Sequence, residues 1–377
     1  MMVMIKGEIK GFCPSNYQEV ADKFLENLNS EEEIGASFTV IQNGKLIIDI
    51  YGGFKDKEQT DLWNADTLVG VHSTGKGIIS MLIALLIDQK KLDLDEFVSS
   101  YWPEFKGDGK EEIKVRTLLT HQGGMYAWRE KVHEDDFHNW KYVVELLEKQ
   151  SPLHKPNELI CYHPKTIGFL VGELIRRITK KTIGEFLKEQ ISIPLNVECF
   201  IGTPEVYHDN IATLISAPSL RKAFSDPKNI DEYTLVSFLN PGNRTKTANT
   251  KEYRLAEIPA LNCHSNSKSL AQIYDYFLNS NFISRETFDQ VTSIEVKGED
   301  QVMKRPMQWS PIGFSIGGGK LFGKSNLSFG HTGWGGSMAF ADPENNLSIS
   351  YTMNMLTGSM LGDQRALSLV ETTYKNL

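Results

Sequence analysis

Ser73 and Lys76 stand three positions apart in Ser73-Thr74-Gly75-Lys76, and this pair carries more chemistry than any other stretch of the chain. A serine hydroxyl is a poor nucleophile until a neighbouring group takes its proton. On a helix, a lysine at that spacing lies on the same face, one turn on, with its amine near the hydroxyl. The preceding segment, Thr67 to His72, is β-prone, and Ile78 to Ile87 reads as a strongly apolar helix. Ser73 is therefore expected where a strand runs into a buried helix. The spacing alone is not specific, since it recurs at Ser219-Lys222, Ser225-Lys228 and Ser265-Lys268. Pro227 disfavours a regular turn in the second of these. Ser219 follows Ala217-Pro218 with no long apolar helix behind it, and Ser265 lies where a helix N-cap is expected. Only Ser73 combines a strand-like approach, a glycine inside the motif and a hydrophobic helix to bury.

Two further features could complete a proton-transfer site. Tyr162 lies in Ile160-Cys161-Tyr162-His163-Pro164, ahead of a helix marked by Ile167, Leu170, Val171, Leu174, Ile175 and Ile178. A phenol at the mouth of that helix can face a cleft. Beside a lysine ammonium its phenolate is favoured, which would make it a general base. A half-buried structural tyrosine would give the same residues. Farther on, Phe329-Gly330-His331-Thr332-Gly333-Trp334-Gly335-Gly336 reads as a strand rich in small residues that turns back at Asp342-Pro343. Glycines there would let a ligand approach the backbone, and a strand edge offers N–H groups to a substrate carbonyl. A glycine-rich bulge in a core strand is the competing reading.

Ser-x-x-Lys, then Tyr, then His-Thr-Gly, in this order, resembles the serine β-lactamase and penicillin-binding superfamily. The likeness is strongest to the branch of class C β-lactamases, D-alanyl-D-alanine peptidases and β-lactamase-like esterases. It extends over most of the chain and includes Leu118-Leu119-Thr120-His121-Gln122-Gly123-Gly124-Met125, the hairpin Phe38 to Tyr51 and a closing helix Gln364 to Tyr374. The resemblance implies Ser73 as nucleophile and Lys76 with Tyr162 as a coupled proton acceptor, the primary base being left open. It also implies an oxyanion hole from the N–H groups of Ser73 and Trp334, with His331, Thr332 and Gly333 lining the substrate side. Two departures matter. Pro164 stands where class C enzymes carry the asparagine of Tyr-x-Asn, and His331 replaces the lysine of Lys-Thr-Gly. Losing a fixed lysine charge weakens attraction for a substrate carboxylate.

Gly313-Phe314-Ser315-Ile316-Gly317 matches the nucleophile elbow of α/β-hydrolases. That mechanism needs a helix after the serine, and the glycine run Gly317-Gly318-Gly319 opposes one. A hairpin turn from Gly318 to Asn326 is expected instead, and Ser315 is not expected to be the nucleophile.

A net charge of -8 argues against nucleic-acid binding. The N-terminal residues show no signal-peptide pattern, and Ile78 to Ile87 is too short to span a bilayer, so a cytoplasmic protein without membrane attachment is expected. The four cysteines, Cys13, Cys161, Cys199 and Cys263, are widely spaced and read as free thiols. His133 to His138 reads as an acidic surface loop rather than a metal site, and the lysines and arginines at 176, 177, 180 and 181 as the solvated end of a helix. Neither metal nor cofactor is expected; the partner is a small-molecule ester or amide.

The length of 377 residues allows two packed units. Residues 16–29 have helical spacing. Ala36 to Gln42 and Leu46 to Tyr51 read as strands joined at Asn43-Gly44. Further strands are expected at Ile312 to Gly318, Leu327 to Gly333, Ser337 to Ala341 and Leu347 to Met353. Residues 200–260 are polar and weakly patterned. The fold class expected is α/β (α+β), β-lactamase/transpeptidase-like. An antiparallel sheet domain would come from 1–76 and 300–377, with a mostly helical insertion at 77–299 and the site between them. The function expected is a serine hydrolase working through an acyl-enzyme, esterase-like. The alternatives are a β-lactamase, a D-alanyl or D-amino-acid peptidase, an acyltransferase, or a non-catalytic binding relative.

Overall fold

The computed structural model describes residues 8–223, 231–242, 245–280, 282–317 and 321–377. In chain order the strands are β1 (Lys10–Phe12), β2 (Gly35–Gln42), β3 (Lys45–Gly53), β4 (Val69–Gly70), β5 (Cys199–Ile201), β6 (Ile215–Ser216) and β7 (Cys263–Ser265). Then come β8 (Val296–Asp300), β9 (Arg305–Trp309), β10 (Ser315–Ile316), β11 (Phe329–Thr332), β12 (Met338–Asp342), β13 (Leu347–Met353) and β14 (Met355–Leu356). Nine of them form one antiparallel sheet in the order β1-β3-β2-β13-β12-β11-β10-β9-β8. The two ends of the chain thus meet in the middle of the sheet, where β2 pairs with β13 from Ala36↔Met353 to Gln42↔Leu347.

The local chemistry explains these elements. Asn43 and Gly44 both adopt positive φ, 51° and 71°, which is what a tight hairpin between twisted strands requires. Strand β13 is buried along its whole length, so both faces of the sheet are covered. Alternation sends Ser348 to one side, where its hydroxyl donates to the Ala271 carbonyl of the helix Ser267–Asn279. Tyr351 points to the other side, where its phenol donates to Glu33. The helices Gln18–Leu28 and Gln364–Lys375 pack together. The helix Gly75–Asp88 is buried from Gly75 to Leu86, as its unbroken apolar run demands.

Several expectations change. The strand expected from Ile312 shortens to β10; Ile312 and Gly313 instead turn around Ser310, whose hydroxyl accepts from Ile312 and Phe314 N–H. Gly318, and Gly318 to Lys320 of the expected hairpin turn, lie outside the described residues. The edge strands β1 and β8 and the neighbouring β9 are not expected from the sequence: β8 is mostly polar around Gly298, and β9 contains Pro306 beside that edge. Near Ser265 the helix cap is Asn266, which accepts from Ser269 N–H, while Ser265 ends β7. Ser225-Lys228 lies outside the described residues. His133 to His138 forms a short 3₁₀ turn with Phe137 buried. Arg177 is not simply solvated; it pairs with Glu104, Glu148 and Glu173. No helix among the described residues is long and apolar enough to cross a membrane.

A buried ionic network ties the closing helix to the turn after β11. Arg365 donates to Asp363 at 2.9 Å, to Glu33 at 3.1 Å and to the Gly335 carbonyl at 2.7 Å. Thr357 also donates to Asp363. Removing one partner of such a cluster strands the other charges in low dielectric, a cost of about 3–5 kcal/mol. Arg365→Met is therefore expected to lower unfolding free energy by about that much in urea titration. Arg285→Ala, which loses an exposed pair with Asp289, is expected to change it by under about 1 kcal/mol.

Candidate active site

Strand β4 delivers the chain to Ser73. It pairs with β7 through Gly70↔His264, and Val71 N–H donates to the Cys263 carbonyl at 2.9 Å. The strand-like stretch ends earlier than expected, because His72 already turns with φ 48°. Left-handed backbone in a non-glycine residue is strained, and here it swings Ser73 into a 3₁₀ turn that runs straight into the helix Gly75–Asp88. The turn is clamped from across the sheet. Ser337 Oγ donates to the Val71 carbonyl at 2.8 Å and lies 2.9 Å from Thr74 Oγ1. This explains Gly333: a Cβ there would fall 2.2 Å from Ser337 Oγ and 2.3 Å from the Val71 carbonyl oxygen.

Lys76 is 5 % exposed, and its Nζ lies 2.7 Å from Ser73 Oγ. It also donates to the Pro164 carbonyl at 2.9 Å and the Ala260 carbonyl at 3.1 Å. Burial holds its basicity well below that of an ordinary lysine, with no carboxylate nearby to offset the lost hydration. A neutral amine has two hydrogens and one lone pair. With the two carbonyls as acceptors for its hydrogens, a neutral amine would keep its lone pair for the Ser73 hydroxyl. Pro164 thus takes part through its backbone, although its side chain offers no amide.

Tyr162 is held just as tightly. Its N–H donates to Asp300 at 3.1 Å, its ring stacks on Trp309 with centroids 5.6 Å apart, and His121 meets it edge-on at 4.9 Å. Its phenol shares a hydrogen bond with Ser73. Here one expectation is corrected. Burial pushes the phenol's acidity down, its pKa rising well above the usual value, instead of favouring a phenolate. Desolvation is the main cause; the Ser73 hydrogen bond opposes it and the Asp300 charge adds to it. Of the two groups, the Lys76 amine is the one whose basicity burial lowers.

His331 is 2 % exposed, and its ring nitrogen Nδ1 lies 2.7 Å from the Thr332 carbonyl. That contact assigns the proton to Nδ1 and leaves Nε2 as an unpartnered acceptor. Burial, with the nearby Lys76, depresses its pKa to about 3, so it is neutral at physiological pH. Thr332 Oγ1 is also buried without a protein partner. Gly333 and Trp334 follow in the clamped turn, and Trp334 meets the His72 ring edge-on at 5.6 Å.

Two compartments adjoin Ser73. The larger, about 980 Å³, is walled by Leu214, Ile215, Phe238, Leu261 and Trp334, with Lys165 in its lining. Lys165 donates to the Phe238 carbonyl at 2.6 Å and to that of Pro241, and burial lowers its pKa to about 7. The smaller, about 20 Å³, lies between Ser73, Tyr162, Trp309, Ser315 and His331. Sequence reasoning found Ser73, Lys76, Tyr162, His331, Thr332, Gly333 and Trp334, and their side chains or backbone do converge. It missed His72, Trp309 and Phe238, which carry no motif, and it left Ser315 as a false elbow. Ser315 lies on β10 between β9 and β11, and no helix begins at it. Cys161 is buried among apolar residues, as expected of a free thiol.

A buried serine–lysine pair packed beside an antiparallel sheet is the arrangement of a serine hydrolase. The chain belongs to the beta-lactamase family, whose profile matches residues 20–372. It is 26 % identical over 354 residues, 87 % of this chain and 78 % of the other, to the esterase/beta-lactamase LipL of Mycobacterium tuberculosis. It superposes with a TM-score of 0.90 on a family VIII carboxylesterase, at 31 % identity over 98 % of this chain and 100 % of that one. A penicillin-binding protein homologue from Caulobacter crescentus gives 0.89 at 30 % identity, over 98 % of this chain and 100 % of that one.

The neutrality of Lys76 has a kinetic signature. A base whose pKa is depressed in the folded enzyme is deprotonated, and competent, above that lowered value. We expect kcat/KM to be level from neutral pH to about pH 9 and to fall only on the acid side. A lysine of ordinary basicity would instead make the rate climb toward about pH 10. A pH–rate profile with a p-nitrophenyl ester separates the two.

Proposed function

We propose that this serine hydrolase is a carboxylesterase that works through an acyl-enzyme on Ser73, with Lys76 as primary base. The observation that carries the reading is the buried Lys76 amine, 2.7 Å from Ser73 Oγ, with the Pro164 and Ala260 carbonyls as its other hydrogen-bond partners. Ser73 attacks the ester carbonyl as Lys76 takes its proton, and Tyr162 relays a proton to the leaving alcohol. The Ser73 and Trp334 N–H groups would hold the oxyanion, as the family pattern implies. The Gly335–Arg365 bond and the Ser337 clamp favour that geometry by fixing the turn. The sheet-forming ends of the chain and the helical middle would then supply opposite walls of the cleft.

Ester preference follows from His331. A lysine would attract a substrate carboxylate, but a neutral imidazole presenting a lone pair repels one. Pro164 likewise offers no side-chain amide to hold the acylamino group of a β-lactam. Esters also carry better leaving groups than amides. Likeness to an esterase/beta-lactamase and to a carboxylesterase supports the same choice.

Two experiments test this. Ser73→Ala is expected to abolish fluorophosphonate labelling and to cut ester turnover by at least about a thousandfold. Retained labelling would place the nucleophile elsewhere. Wild-type kcat/KM for short p-nitrophenyl esters is expected to exceed that for a chromogenic cephalosporin by at least about a hundredfold, and His331→Lys to narrow the gap. An efficient wild-type cephalosporinase would remove the ester preference while leaving the hydrolase class.

A further inference from the structure

Ser315 belongs to a motif that the mechanism above leaves without work, yet it lines the site. Three buried polar atoms, Ser315 Oγ, Thr332 Oγ1 and His331 Nε2, have no protein partner. Their residues are only 2 %, 4 % and 2 % exposed. All three residues line the small compartment that Ser73 and Tyr162 also line. The strand register agrees: Ser315 lies opposite Gly330, and Thr332 is two residues beyond Gly330, so Ser315 and Thr332 share a face. Buried polar atoms left unpaired are costly, and the sequence could have avoided each of them with an apolar residue. Of the remaining walls, Met303 and Met307 are apolar, and Trp309 adds a fourth buried polar atom without a partner, its indole Nε1. The volume of about 20 Å³ suits a single water, which needs two to four polar partners.

We propose that Ser315, Thr332 and His331 seat the water that hydrolyses the acyl-enzyme, with Ser315 as a positioning residue. The proposal rests on the acyl-enzyme reading of Ser73. His331 Nε2 accepts a hydrogen bond from one water proton and, being a weak base, orients the water without deprotonating it. The water oxygen bonds to the acyl carbon as the bond from that carbon to Ser73 Oγ breaks. The second water proton passes through Tyr162 and Lys76 to Ser73 Oγ, and the carboxylic acid leaves with the first. The Ser315 hydroxyl donates to one lone pair of the water oxygen, which leaves the other for the acyl carbon, and Thr332 Oγ1 lines the same compartment. Because this water acts only after the alcohol has gone, Ser315 bears on deacylation and not on acylation.

The test uses a hindered p-nitrophenyl ester whose acyl-enzyme is long-lived. The nitrophenol burst reports acylation, and intact-mass spectrometry of the adduct reports its decay. Ser315→Ala is expected to slow decay by about tenfold, the value of one lost hydrogen bond, with the burst rate within about twofold of wild type. Ser315→Thr, which keeps the hydroxyl, is expected to restore decay. Unchanged decay in Ser315→Ala, or burst and decay slowed alike, would overturn the proposal while the Ser73 adduct still stands. An absent adduct on the Ser73 peptide of the wild type would overturn the acyl-enzyme reading, and this proposal with it.

Discussion

The structure is organised around keeping one amine dry. Hydrating a lysine ammonium is worth so much that burying it uncompensated costs several kcal/mol, so burial drives Lys76 toward the neutral form. A neutral buried amine still needs acceptors for two hydrogens. These come from Pro164, on the loop that carries Tyr162, and from Ala260, on the turn just before β7. Three segments far apart in sequence must therefore pack against one another before the base exists. The same turn continues into Cys263, whose carbonyl receives Val71 N–H and braces the approach to Ser73. Nucleophile and base are thus positioned by one piece of backbone.

A second brace comes from the chain ends. The pairing of β2 with β13 brings Glu33 beside Arg365 and Asp363, and Arg365 then reaches the Gly335 carbonyl in the turn that follows Gly333. Ser337, on the other side of that turn, clamps Val71 and Thr74. The nucleophile turn and the His331–Trp334 strand end are consequently held to each other by hydrogen bonds with no solvent between the partners. The strained φ of His72 persists because both sides of it are fixed.

The electrostatics of the site run against the rest of its surroundings. With Lys76, Tyr162 and His331 all driven toward their neutral forms by burial, charge is kept away from Ser73 at the floor of the cleft, and the charged groups of the larger compartment, Lys57, Glu58, Lys165 and Lys246, stand in its lining. What remains is a pattern of lone pairs and hydroxyls. Such a floor selects by hydrogen-bond polarity and shape, which suits an uncharged ester better than a carboxylate-bearing lactam or peptide.

Local signals in the sequence determined a good deal. The Asn43-Gly44 turn, the apolar run of the helix Gly75–Asp88, the strand Leu347–Met353 and the closing helix Gln364–Lys375 are all readable, because turn chemistry and periodicity involve only near neighbours. The order of Ser73, Lys76, Tyr162 and His331 named the residues that meet in the cleft. The edge strand β8 and its neighbour β9 were not readable, since their polar residues match a loop until the two strands pair. The short elements between residues 200 and 260 have too few turns to show a period. Above all, protonation was decided only by the fold. The sequence places a lysine near a tyrosine and suggests a phenolate; the packed structure removes water from both, and desolvation outweighs their mutual attraction. Hydrogen-bond partners for Lys76, the tautomer of His331 and the isolation of Ser315 Oγ likewise belong to neighbours that sequence separation hides.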